Sequence, residues 1–136
     1  MAALTAPRNT LERVGPINAF LVKANTTVQQ GSLVVLDAGY AAPGRTAAGL
    51  IAAGRAESSV TAVAAGSAQV PVKAGTFKFG NSTAADLVTQ ADVGADCYIV
   101  DDQTVAKTSG GATRSIAGKI IAIDSDGVWV KVGAGL

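Results

Sequence analysis

The residues able to do chemistry are few and poorly spaced for it. The chain has no histidine, which removes Ser-His-Asp and Cys-His catalysis and most zinc coordination. Gly118-Lys119 has the ending of a phosphate loop. Ile120 stands where that loop needs Ser or Thr, Gly111 is at the wrong spacing, and a strand rather than a helix is expected to follow. Asp124-Ser125-Asp126-Gly127 looks like the start of a calcium loop. It lacks the later ligands and the distal Glu, and its Asp-Gly ending reads as a tight turn. Asp101 and Asp102 are adjacent, so on a strand or turn their carboxylates point apart. Cys97 is the only cysteine, so no intrachain disulfide can form, which fits a reducing compartment. It has no basic neighbour in sequence to lower its pKa, and reads as a buried structural thiol. No catalytic, cofactor-binding or metal-binding residue is expected, and the chain reads as non-enzymatic.

Composition points the same way. The 136 residues suit one domain, which can bury roughly 65–70% of its unfolded surface without a metal or disulfide. The hydrophobic fraction is 49% but the aromatic fraction only 4%. Ala and Gly supply much of the rest, so the layers are thin and the core gains less per residue from burial than one rich in Leu and Phe. Such a domain can draw part of its stability from association. Eleven basic and ten acidic residues are scattered singly, without the Lys/Arg clusters that nucleic acid requires. Met1–Pro16 does not read as a signal peptide, so the sequons at Asn25 and Asn81 carry no weight. No run approaches the ~20 apolar residues of a membrane helix. Neither a nucleic acid nor a membrane is an expected partner.

The elements that would position any site are mostly short strands. Strands are expected at Ala19–Lys23, Leu33–Asp37, Leu50–Ala56, Gln69–Lys73, Gly75–Gly80, Cys97–Val100 and Thr104–Ala106, with a final hairpin from Ile116–Ile123 and Gly127–Val132. Gly54 suggests a bulge, and Pro71 places its strand at an edge or a bulge. Residues 39–49 and 57–68 read as loops. Thr89–Gly94 is the best helical turn, with Thr89 as cap and Asp92 three residues on. Alternation puts Phe77 and Phe79 on one face of their strand, and Val128, Val130 and Val132 on one face of theirs, with Trp129 opposite. Trp129 is then either covered by a second layer or exposed as an interface anchor. The fold class is mostly β: a small β-barrel, β-tulip-like or sandwich domain over residues 17–136. One short helical turn accompanies it, and residues 1–16, framed by Pro7 and Pro16, form an extended N-terminal arm or flexible tail.

Gly31-Ser32-Leu33-Val34-Val35-Leu36-Asp37, the Gly/Ala-rich connection to Leu50-Ile51-Ala52-Ala53, and Val70-Pro71-Val72-Lys73-Ala74-Gly75-Thr76-Phe77-Lys78-Phe79 together resemble the lambda-type head decoration proteins and related capsid-cement families of bacteriophages. Lys73–Phe79 is the most family-like piece. The half from Asp92-Val93-Gly94 to the final hairpin resembles small structural proteins of transposable phages, and is longer than in the lambda-type proteins. The resemblance implies a virion protein made in the host bacterial cytoplasm and carried on the outer capsid surface, where it stabilises the expanded head. It implies the major capsid protein as partner and self-association, often as a homotrimer. An N-terminal segment would add a strand to an exposed edge of the capsid protein. Candidate interface residues are Pro7, Arg8, Leu11 and Val14 on the arm, with Trp129 on the body. The alternative is another phage part: a tail-tube, head-completion or fibre-associated β protein. A carbohydrate-binding module usually needs clustered exposed aromatics, and only three Phe, two Tyr and one Trp are present.

Overall fold

The computed structural model describes residues 2–11, 13 and 15–135. Residues 2–11 hold no strand or helix and bend at Thr5–Ala6. In chain order the strands are β1 (Ile17–Leu21), β2 (Thr26–Val28), β3 (Leu33–Asp37), β4 (Tyr40–Pro43), β5 (Ile51–Ala56), β6 (Val60–Ala62), β7 (Gln69–Lys73), β8 (Gly75–Asn81), β9 (Asp96–Ile99), β10 (Thr104–Ala106), β11 (Ile116–Asp124) and β12 (Gly127–Val132). One sheet runs β1-β7-β5-β3-β4, and β2 pairs with β6. The rest close a five-stranded barrel, β10-β8-β12-β11-β9, in which β8 and β10 are parallel and the other pairs antiparallel.

Side-chain alternation divides the interior into two cores. Along β3, Leu33 and Val35 face the barrel and join Phe79, Ile99, Ile120, Val128 and Val130. Val34 faces the other way and joins Val22, Val28, Val70 and Val72. On β5, Ala52 belongs to the first cluster and Ala53 to the second. The β3–β5 wall is therefore buried on both faces. Alanine lets backbones approach on each side of it, which accounts for an interior rich in alanine and poor in aromatics. Ser115, itself buried, fastens the wall to the barrel: its hydroxyl accepts the Leu50 N–H at 2.9 Å and donates to the Ala47 carbonyl at 2.7 Å.

The β class and a closed barrel are thus present, with differences of detail. Residues 39–49 were expected to be loop, yet β4 forms there. Ala38 and Gly39, with φ of 50° and 87°, make a two-residue turn that returns the chain onto β3, pairing Asp37 with Tyr40. Residues 57–68 contain β6, held against β2 partly by the Thr27–Thr61 hydroxyl pair at 2.9 Å. Three-residue strands are too short to show alternation. Pro71 was expected at an edge or bulge, but β7 lies between β1 and β5. The proline fits because β5 pairs with β7 only at Arg55–Lys73 and Ala56–Val72, so its missing N–H lies beyond that ladder's end. The helical turn at Gln90–Asp92 carries the expected signature, with the Asp92 carboxylate accepting the Thr89 N–H at 2.8 Å. That bond, first among its contacts, holds the Asp92 carboxyl below the usual carboxylate range. A second 3-10 turn, Ala84–Asp86, had no sequence signal.

Candidate interaction surface

Trp129 is set by the alternation of β12. Val128, Val130 and Val132 are fully buried inside the barrel, while Trp129 points outward and is 38% exposed. Among the described residues no second layer covers it. By register it lies opposite Lys78 on one side and Ala122 on the other. A register shift between Ile120 and Ala122 leaves Ile121 and Ala122 both exposed beside it.

The indole is held in place by the turn that follows β11. Its Nε1–H donates to Asp124 Oδ2 at 3.0 Å. Lys78 Nζ sits 5.8 Å from the ring centroid, 3.3 Å from Asp124 Oδ1 and 2.6 Å from Asp126 Oδ1. Asp126, first among its contacts, raises the Lys78 ammonium above its ordinary pKa. The Trp129 N–H, followed by Asp126, holds the Asp124 carboxyl down to about 2. Asp124-Ser125-Asp126-Gly127 is therefore a turn whose two carboxylates serve an ammonium and an indole. A ring already fixed by a hydrogen bond loses less side-chain entropy when a partner covers it.

This arrangement predicts an acid transition specific to the ring. A carboxyl whose folded pKa is depressed contributes its hydrogen bonds in full above the ordinary carboxylate value, and loses them as pH falls through about 2. Trp129 is the only tryptophan. Its emission should stay constant from neutral pH to about pH 4 and change between there and about pH 2. Asp124→Asn should remove that step while leaving the far-ultraviolet circular dichroism unchanged; a step that persists in the variant would contradict the assignment.

The other candidate residues lie on the N-terminal segment. Pro7, Arg8 and Leu11 are exposed, and every described residue from 2 to 11 is exposed. Val14 lies outside the described residues. Leu4, which sequence reasoning passed over, is 72% exposed and Leu11 is 87% exposed. The segment enters the body at Pro16, whose carbonyl accepts the Ala74 N–H at 2.9 Å, and Ile17 pairs with Lys73. Trp129 instead sits on the barrel wall, so the structure does not bring the segment and Trp129 together. The first strand, expected at Ala19–Lys23, runs instead as β1 over Ile17–Leu21, with Ile17 and Leu21 exposed.

The remaining polar groups stabilise locally. Cys97 is buried, its Sγ contacts the Gly118 carbonyl at 3.6 Å, and burial pushes its thiol up to about 12. Asp37 takes Lys23 at 2.8 Å and Arg45 at 2.9 Å, and those two bonds hold its carboxyl below the usual range. Among the described residues, no three His, Cys, Asp or Glu side chains gather as a metal site, and no helix is long and apolar enough to cross a membrane. The chain matches no known protein family, no curated protein and no solved structure.

Proposed function

We propose that this chain is a phage virion protein that binds the outer surface of the capsid through the major capsid protein and stabilises the expanded head. The sequence resemblance over residues 31–79 supplies the class. The observation that carries the reading is the N-terminal segment: ten consecutive described residues, 2–11, all exposed, with Leu4 and Leu11 presented to solvent on a chain with no regular structure. Apolar side chains held out in this way suit a segment that orders on a partner. A partner's open strand edge could take such a segment by main-chain hydrogen bonding. Trp129, fixed and outward, is the second contact point. Many modest contacts of this kind reinforce a shell through avidity.

The test removes residues 1–16. The truncated protein should retain its circular dichroism and its Trp129 emission, and should bind expanded shells at least about tenfold more weakly in co-sedimentation, a loss of about 1.4 kcal/mol or more. Unchanged binding by the folded truncation would overturn the role of the segment.

A further inference from the structure

We propose that a hollow at the start of β5 takes an extended, apolar segment of the partner that receives the arm, with an acidic residue of that segment against Lys131. The partner rests on the capsid-surface reading, and the site rests on the geometry of the body.

The hollow opens where the sheet and the barrel part. β5 pairs with β7 only at Arg55–Lys73 and Ala56–Val72. β7 ends at Lys73, and the chain leaves at Gly75 to form β8 of the barrel. Ile51 and Ala52 therefore run on without β7 beside them, facing the start of β11 and the end of β12. The space left is about 250 Å³. Ile51 and Ala52 line one side of it, Ile116 and Gly118 another, and Lys131 and Gly133 the rest. The glycines put no side chain into it.

The lining sets the chemistry of the occupant. Ile51 and Ile116 both border the hollow and are 56% and 49% exposed. A single exposed isoleucine is ordinary, but two around one hollow make an apolar site open to solvent. Its volume is below the roughly 300–1,000 Å³ of small-molecule sites and suits an aliphatic side chain or two. Among the described lining residues Lys131 alone is charged. By register its neighbours are Lys119 and Thr76, and Lys119 is already paired with Asp96 at 2.8 Å. A cation at the rim of an apolar hollow attracts a carboxylate and repels a second cation. An extended segment places alternate residues on one face. An aliphatic residue in the hollow, with Asp or Glu two positions along, meets both features.

The hollow is also placed for a partner that holds the arm. The Pro16 carbonyl accepts the Ala74 N–H, and Ile17, Lys73 and Arg55 lie level across β1, β7 and β5. Ala52 is three residues further along β5. On the barrel side, Lys131 shares the outer face of β12 with Trp129, two residues away. The hollow thus lies between the root of the arm and Trp129, on one continuous surface.

Co-sedimentation of the full chain with expanded shells tests this. Ile51→Asp and Ile116→Asp put a charge into the apolar contact, and Lys131→Glu sets like charges together. Each should weaken binding about tenfold or more with unchanged circular dichroism. Lys131→Glu carries the test if an isoleucine variant fails to fold. Val63→Asp, exposed beside Asn25 at the far end of β1, should bind as the wild type does. Binding unimpaired in both isoleucine variants, or in Lys131→Glu, would overturn the site and leave the capsid reading standing. An equal loss in Val63→Asp would overturn it too, by showing that added charge alone weakens binding. A wild-type chain that does not sediment with shells would overturn the capsid reading and the site with it.

Discussion

Gly54→Ala is expected to destabilise the fold by on the order of 3–5 kcal/mol, a large share of the ~5–15 kcal/mol that holds a domain together. Two effects add at this position. Gly54 has a φ of +148°, a conformation that L residues rarely adopt. A Cβ there would stand 2.2 Å from the Lys73 carbonyl oxygen and 2.8 Å from its carbon. The obstruction is backbone, held in place by β1 on the far side of β7, and it cannot rotate away as a side chain would. The glycine is needed because β5 slips register against β3 between Val34 and Val35. That bulge brings Ala53 and Ala56, three residues apart, onto the same face, and both join the second core. Urea denaturation followed by circular dichroism should show a much lower midpoint or an unfolded variant. A loss below about 1 kcal/mol would mean that the strands separate at little cost.

Leu33→Ala is expected to cost about 2–5 kcal/mol. Leu33 is fully buried among the barrel residues, and its backbone is committed at both ends: its N–H donates to Asp102 at 2.8 Å and its carbonyl accepts from Gly44 at 2.8 Å. The barrel strands cannot easily close over the missing methyl groups, because the wall behind them is fixed by Val34 and Val72 in the second core. Both cores share β3, so the loss should lower one cooperative transition detected alike by circular dichroism and by Trp129 emission. Two separated transitions in the variant would contradict a shared wall.

Much of this architecture was legible locally. Leu33–Asp37 is apolar, β-branched and bounded by glycines. Asp126-Gly127 marks the last hairpin, and Thr89 with Asp92 marks the one capped turn. Each depends on neighbours within a few residues. The pieces that escaped depend on distant partners. β2 and β6 are three residues each and exist because they pair with one another. β4 is too short and too rich in alanine to alternate visibly. The barrel closes through a parallel contact of Thr104 with Gly80, for which no sequence pattern exists. The candidate surface divides in the same way. That Trp129 lies opposite its valine neighbours follows from strand parity. That it stays 38% exposed depends on how the sheet and the barrel pack.

Cryo-microscopy of particles carrying this protein would show whether it sits on the outside of a phage head, as proposed. Density for the barrel and its adjoining sheet is expected on the outer shell, with residues 1–16 ordered against the major capsid protein. Density confined to the tail, or a shell left bare where the protein is present in the particle, would contradict it.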